Sequence, residues 1–273
     1  MRASFYIFSG SVWLVLGLVG CAASPTLGVF SPTPLTLPSP TMTASPLSPL
    51  PSDTPAPSPT ASPVASSTLF IPGTPTPFLL SLCSPLEGYT FEELPGIESQ
   101  SFIPNRPGKD DGHQGVDFAH WLYKDRVSLE GAAIQSVLPG VVAAAVADKY
   151  PYGNMILVET PYGHLSQDII ALFLLQPEQS LYLLYGHMKE PSPFSIGDRI
   201  TCGETVGAVG NTGASGNPHL HFETRVGPAG VNFESMEYYK TISTPEERAN
   251  YERWRFLGDF ILYNPWDLLR LGN

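Results

Sequence analysis

Two histidines flank a single leucine in the stretch GNPHLHFETRV, and the whole chain has only six histidines. Side chains alternate between the two faces of a β-strand. His219, His221 and Glu223 would therefore share one face. Leu220 and Phe222 would take the other, so the stretch predicts a strand with one chemical face and one core face.

A histidine pair is a weak sign of a site by itself, because histidines in strands are more often partly buried and hydrogen-bonded than bound to a metal. Polar residues in other segments change that balance. His113 and Asp117 lie in GHQGVDFAH, with Gly115 between them where close backbone approach is easy. His187 ends the apolar run of LLYGHM. Four of the six histidines therefore lie in glycine-punctuated segments beside predicted strands.

This residue set fits a catalytic zinc site better than a structural one. Catalytic zinc takes three protein ligands from imidazole and carboxylate groups and keeps one position for water, whereas structural sites are closed by four ligands, usually including cysteine. A further group must handle the proton of that water. His113, Asp117 and one histidine of the HLH pair would supply the ligands. The other histidine of the pair and His187 would handle the proton.

In combination these motifs resemble the M23 family of zinc metallopeptidases, the lysostaphin and LytM type of murein endopeptidase. The resemblance covers residues 85–235 and is carried by His-x-x-x-Asp at 113–117, Tyr-x-His at 185–187 and the run GNTGASGNPHLHFE. The YNP at 263–265 resembles the family's closing segment. The resemblance implies the family's antiparallel β-sheet groove, called a duplicated hybrid motif.

The resemblance also implies a role for each polar residue. His113, Asp117 and His221 are implied as the ligands of one Zn²⁺ ion per domain, and His187 and His219 as the catalytic histidines. Glu223 would either hold the second ring nitrogen of a ligand or be solvated, and the sequence leaves both open.

Two further histidines need placing. YGHLS at 162–166 matches the family's Tyr-x-His-Leu-Ser motif more closely than YGHM does. We favour His187 because it ends an apolar strand ten residues before the Gly197-Asp198 turn, as the family pattern requires. His164 follows a Pro-Tyr-Gly turn and is the reserve candidate. His120 is predicted to be an exposed structural histidine, with a contact at the rim or to substrate left open.

The elements that must position these residues are predicted to be antiparallel hairpins. From Ile134 onward, short apolar runs are separated by turn residues such as Pro139-Gly140. The sequence therefore predicts a mostly β fold with an antiparallel sheet, not a βαβ array. Only one helix is predicted, in PEERANYERWRFL, with Ser243 or Thr244 as its cap and Pro245 in its first turn.

Three segments shape the domain outside the motifs. The final run FILYNPWDLLRL is predicted to pack the chain end onto the sheet. The stretch Trp121–Gly131 and the insertion Glu234–Phe260 depart from the family pattern. Because these segments could shape the groove, the resemblance says least about substrate preference.

The first 20 residues are predicted to be a secretory signal peptide. Arg2 precedes an uncharged, apolar-rich run that is too short for a membrane span, which needs about 20 residues. The Leu-Val-Gly-Cys that ends at Cys21 resembles the lipobox of bacterial lipoproteins. That resemblance implies cleavage before Cys21 and lipidation of its thiol, with an uncleaved anchor as the alternative.

Residues 21–79 are predicted to form a disordered tether. They hold about half of the 29 prolines and one charged residue, Asp53, so they lack both amide donors and apolar mass.

Residues 80–273 are the predicted metallopeptidase-like domain. Outside the cytoplasm its two cysteines, Cys83 and Cys202, are predicted to form a disulfide.

The charge balance excludes some function classes. The net charge is −11 and the domain has no basic stripe, so we expect neither nucleic-acid binding nor strong attraction to anionic lipid.

The hypothesis from the sequence is an extracytoplasmic zinc metalloendopeptidase, anchored to a bacterial membrane through Cys21, that cuts peptidoglycan stem or cross-link peptides. The alternatives are a non-catalytic M23-like module that activates other wall hydrolases and a zinc peptidase acting on secreted peptides.

Overall fold

The computed structural model describes residues 82–122 and 124–272 of the chain. The predicted signal peptide at 1–20, the predicted lipidation site Cys21 and the predicted tether at 21–79 lie outside the described residues. None of the helices in the two described ranges has the length and apolar character needed to cross a membrane.

Antiparallel strands dominate the described chain, as the sequence predicts. In chain order the strands are β1 (Glu98–Gln100), β2 (Val116–Phe118), β3 (Ala133–Gln135), β4 (Gly140–Lys149), β5 (Gly153–Pro161), β6 (Gln179–Met188), β7 (Arg199–Ile200), β8 (Thr205–Ala208), β9 (Leu220–Pro228) and β10 (Ile261–Tyr263). Eight of them form one sheet in the order β1-β2-β9-β6-β5-β4-β7, and β10 also pairs with β9. Strands β3 and β8 form a second, two-stranded sheet.

Within residues 82–122 and 124–272, three α-helices accompany the sheets: α1 (Gln167–Leu172), α2 (Pro245–Arg255) and α3 (Pro265–Leu269). The predicted helix is confirmed as α2. Thr244 is its cap: the Thr244 side chain accepts from the Glu247 backbone N–H, and the Glu247 carboxylate accepts from the Thr244 N–H. The sequence did not predict α1 and α3, because helices of six and five residues are too short to show a periodic pattern.

The large sheet separates two apolar cores. On β9, Leu220, Phe222 and Val226 lie in the first core, which α1 and α3 also contact. The second core lies on the other face and joins sheet residues such as Leu184 to Trp254 of α2. Helix α2 therefore covers the sheet face opposite Leu220 and Phe222, which is the face predicted to carry the chemistry.

The ends of the described chain are fastened to this framework. The predicted disulfide between Cys83 and Cys202 is confirmed. Strand β10 pairs with β9, with Tyr263 opposite Thr224, and Trp266 of α3 packs edge-on against a phenylalanine of β2. The prediction that the chain end packs onto the sheet is confirmed.

The capping box of α2 gives a test of the fold. Thr244→Ala removes the oxygen that accepts from the Glu247 N–H, and we expect it to lower the free energy of unfolding by about 1 kcal/mol. Urea unfolding followed by circular dichroism measures the change. Thr241→Ala is the matched control, because Thr241 is exposed and precedes the cap. Equal stability of the two variants would contradict this role of Thr244.

Candidate metal centre and catalytic cleft

Three of the residues singled out in the sequence converge on one point. One potential ligand atom from each of His113, Asp117 and His221 lies within 4.8 Å of the other two. Asp117 Oδ1 is 3.1 Å from His113 Nε2 and 2.8 Å from His221 Nδ1. The predicted ligand set is therefore a spatial cluster, although its segments are 104 residues apart in the chain.

Strand pairing brings the cluster together. Asp117 on β2 lies directly opposite His221 on β9 in the antiparallel register. His113 precedes β2 and donates from Nδ1 to the Ser101 carbonyl at 2.9 Å, because a carbonyl oxygen can only accept. This leaves His113 Nε2 for the cluster. Gly115 is required between them, since a Cβ there would lie 2.7 Å from His221 Cε1.

The electrostatics of the cluster suit a cation. Burial opposes ionisation of Asp117, but hydrogen bonds from His113 and His221 outweigh it and hold the pKa of Asp117 well below its usual range. Burial likewise disfavours a charged His221, but contacts with Asp117 and Glu223 raise the pKa of His221 to about 9. An ionised carboxylate between two imidazoles is a donor set that divalent ions such as zinc accept. The residues therefore fit a metal ion.

The other two predicted histidines lie beside the cluster. The ring centroids of His187 and His219 are 4.6 Å apart, and those of His187 and His221 are 5.6 Å apart. His187 Nδ1 donates to the Thr212 carbonyl at 2.7 Å, and His219 Nδ1 donates to the Asn217 carbonyl at 2.8 Å. Each ring thus keeps Nε2 for the cleft of about 390 Å³ that all five predicted residues line.

A β-bulge turns His187 toward this cleft. In a regular strand His187 would share a face with Tyr185, which lies in the first core. The register of β5 and β6 shifts so that Gly186 and His187 together oppose one residue, and Met188 then returns to the first core. His187 takes a left-handed backbone conformation there, with φ of 59°.

Burial sets the protonation of His187. Loss of solvent is the main cause that lowers the pKa of His187, to about 3, and the neighbouring rings of His221 and His219 add to it. The ring is therefore neutral at neutral pH, and because Nδ1 carries the proton, Nε2 is unprotonated.

The structure decides between the two alternatives for Glu223. Its side chain is fully buried, and Oε1 lies 3.1 Å from His221 Nε2, so Glu223 holds the second nitrogen of the predicted ligand and is not solvated. Burial opposes its charge, but Arg225 and His221 keep the pKa of Glu223 well below its usual range. Arg225 lies on the same face of β9 as His221 and Glu223, so the alternation of the strand could have predicted its place beside Glu223.

The two remaining histidines lie elsewhere. His164 is exposed in a 3-10 turn between β5 and α1 and does not line the cleft. His120 is half-buried, whereas the sequence predicts an exposed histidine. Its Nε2 lies 3.1 Å from the Tyr89 hydroxyl. The structure thus places His187, and not His164, beside the cluster, while the catalytic roles of His187 and His219 remain predictions.

Tyr152 and Arg255 are among the cleft-lining residues that sequence reasoning missed. Tyr152, before β5, donates to Glu223 Oε1 at 2.6 Å, and Arg255, the last residue of α2, reaches the cleft wall. Burial raises the pKa of the Tyr152 hydroxyl well above its usual range, so it stays a donor. Neither residue belongs to a spaced motif. Their positions follow from how α2 and the β4–β5 turn pack, which no local pattern shows.

Comparison with known proteins places part of the chain in a peptidase family. The model of peptidase family M23 matches residues 171–233, which include His187, His219 and His221. The chain carries an M23 peptidase domain. His113 and Asp117 precede the matched segment, and the structure brings them to the M23 histidines.

The curated relatives of this M23 domain are longer proteins. The chain is 28% identical over 151 residues to the DD-carboxypeptidase/endopeptidase Mpg of Neisseria meningitidis serogroup B, covering 55% of this chain and 28% of the relative. It is 27% identical over 143 residues to an uncharacterized metalloprotease of Buchnera aphidicola, covering 51% of this chain and 31% of the relative. The chain therefore spans less than a third of the length of these relatives.

Solved structures of similar sequence include two bacterial peptidase domains. The catalytic domain of lysostaphin from Staphylococcus simulans is 20% identical with a TM-score of 0.38, covering 67% of this chain and 98% of that one. The catalytic domain of the prophage-encoded M23 protein EnpA from Enterococcus faecalis is 22% identical with a TM-score of 0.35, covering 54% of this chain and 92% of that one.

Removal of one ligand tests the metal centre. We expect His221→Ala to reduce bound divalent metal to a small fraction of one equivalent, because it removes one of three donors from the cluster. Metal content of the purified chain is measured by mass spectrometry after dialysis. His164→Ala, which changes an exposed histidine outside the M23 cleft, is the control and should keep the metal. Full metal content in His221→Ala would contradict the assignment.

Proposed function

We propose that this chain is an extracytoplasmic zinc metalloendopeptidase that hydrolyses peptide bonds in the stem or cross-link peptides of peptidoglycan. The observation that carries the proposal is the convergence of His113, Asp117 and His221 in an open cleft with two further histidines at its wall. A closed structural site would have no such cleft. The M23 match supports the same reaction class.

Each residue takes a role that its geometry allows. His113 Nε2, Asp117 Oδ1 and His221 Nδ1 would hold the ion, and when bound, zinc would supply Lewis acidity that polarises a carbonyl and makes water more acidic. His187 is neutral and fixed through Nδ1, so its Nε2 accepts a proton from the attacking water. His219 is fixed through Nδ1 in the same way, so its Nε2 stabilises the oxyanion that forms on the scissile carbonyl.

The substrate class rests on the relatives and on the shape of the site. Two curated relatives carry names that describe a carboxypeptidase/endopeptidase and a metalloprotease. The cleft of about 390 Å³ has room for a segment of a peptide beside the metal cluster. A lipid anchor at Cys21 followed by a long tether would let the domain work on a polymer at a distance from the membrane.

Hydrolysis of purified sacculi tests the proposed reaction. We expect the zinc-loaded full chain to release muropeptides that mass spectrometry identifies. His187→Ala should keep its metal and lose activity by about 10²- to 10⁴-fold, because only the proton acceptor is removed. His164→Ala should retain wild-type turnover. Full hydrolysis by His187→Ala would overturn the role assigned to His187.

The same experiment separates the alternatives. A wild-type chain without stoichiometric zinc and without hydrolysis would favour a binding module that activates other wall hydrolases. A zinc-loaded chain that cleaves unstructured peptides and leaves sacculi intact would favour a peptidase of secreted peptides.

Anchoring is tested separately in a bacterial host. We expect labelled fatty acid to be incorporated into the wild-type chain and not into Cys21→Ser, because the thiol is the predicted acceptor. Cys202→Ser is the control, since that cysteine is bonded within the domain. Equal labelling of the Cys21→Ser variant and the wild type would rule out the lipid anchor.

A further inference from the structure

Helix α2 contacts the carboxylate that lies behind a predicted metal ligand. Glu223 Oε1 lies against His221 Nε2, and two α2 side chains hold the same carboxylate. Trp254 Nε1 donates to Glu223 Oε2 at 3.1 Å, and Arg255 Nη1 donates to Glu223 Oε1 at 3.2 Å. The insertion predicted to depart from the family pattern thus reaches the ligand His221 through one shared partner.

Arg255 also reaches the segment that carries another predicted ligand. Its Nε and Nη2 donate to Asp110 Oδ1 at 2.9 and 2.7 Å. Asp110 lies three residues before His113, and the Tyr251 hydroxyl of α2 donates to its other oxygen at 2.7 Å. One guanidinium therefore connects the strand that carries His221 to the loop that carries His113.

Burial makes these contacts important for geometry. Glu223 and Arg225 are fully buried, and the Arg255 side chain is 11% exposed. A buried carboxylate must be held by donors, and here Tyr152 and Arg225 supply the donors outside α2. Loss of the α2 donors would leave Glu223 Oε2 with Arg225 alone, so its orientation toward His221 would be less well fixed.

Partners of a ligand's second nitrogen fix the orientation of the ring and typically change metal affinity by 10- to 100-fold, roughly, when they are mutated. We propose that Arg255 and Trp254 are positioning residues of the metal centre, which hold Glu223 and Asp110 so that His221 and His113 face the same ion. This inference rests on the proposed metal site. It assigns to the insertion a role in completing that site, beyond covering the second core.

Metal affinity of the folded chain tests the inference. Zinc dissociation constants are measured by competition with a chromophoric chelator, after circular dichroism shows that each variant is folded at the assay temperature. We expect Arg255→Gln to bind zinc about 10- to 100-fold more weakly than the wild type, because contacts to both Glu223 and Asp110 are lost. Trp254→Phe keeps an aromatic ring in the second core and loses the one N–H to Glu223, so we expect a smaller loss of several-fold.

Two further variants make the result specific. Arg255→Lys keeps one positive charge and should restore part of the affinity lost in Arg255→Gln. Arg253→Gln is the matched control on α2, because Arg253 pairs with Asp259 at 2.8 Å on the surface, and its affinity should equal that of the wild type. Absorption spectra of cobalt-loaded Arg255→Gln should differ from those of the wild type, since altered ring orientation changes the ligand field.

The outcomes separate this inference from the proposed function. A wild-type chain that binds no zinc overturns the metal centre itself. A wild type that binds zinc, with folded Arg255→Gln and Trp254→Phe binding equally well, overturns the positioning role alone. Equal weakening in Arg253→Gln also overturns it, because the effect would then be general to α2. If Arg255→Gln does not fold, Trp254→Phe decides the question.

Discussion

The structure depends on keeping one buried carboxylate, Glu223, ionised against the second nitrogen of His221. An imidazole that binds a metal through Nδ1 has its other nitrogen inside the protein, and that N–H needs an acceptor. Glu223 is that acceptor, but a fully buried charge is costly unless it is paired and hydrogen-bonded. Arg225 along β9 and Arg255 from α2 supply the compensating charge. The docking of α2, which also fills the second core, therefore supplies part of the charge that keeps Glu223 ionised beside His221.

Sequence alone gave the local part of the site and not the tertiary part. The alternation of HLHFE predicts a chemical face and a core face, because alternation is a property of the strand itself. Residue types suggested His113, Asp117 and one histidine of the HLH pair as ligands. The choice of His221 came from resemblance to a family, since strand order cannot be derived from spacing. The orientation of His187 defied the simple rule: alternation puts it on the face of Tyr185, and only the bulge on β6 reverses this. The place of Arg255 in the cleft could not be predicted. The sequence predicts the helix α2 but not what that helix packs against.

The bulge at His187 shows how the sheet handles two opposing demands. Tyr185 and Met188 must both fill the first core, while His187 between them must face the cleft. The left-handed backbone of His187 satisfies both, at a cost on the order of 1–3 kcal/mol for a residue other than glycine. The hydrogen bond from His187 Nδ1 to the Thr212 carbonyl and the burial of Tyr185 and Met188 in the first core compensate this strain. Such strained residues cluster at functional sites, where the surrounding packing determines a geometry that the residue alone would not adopt.

Two imidazoles whose centroids lie 5.6 Å apart are driven to opposite protonation states by their surroundings. His221 lies between two carboxylates, which raise its pKa to about 9, whereas burial lowers the pKa of His187 to about 3. Environments that separate the pKa values of neighbouring groups are how a site assigns distinct acid and base roles. The same carboxylates that favour a proton on His221 favour a cation in its place, and metal binding to a histidine requires that this proton leave. For His187, burial and the neighbouring rings of His221 and His219 outweigh the effect of the Asp117 charge, so His187 stays neutral beside this site.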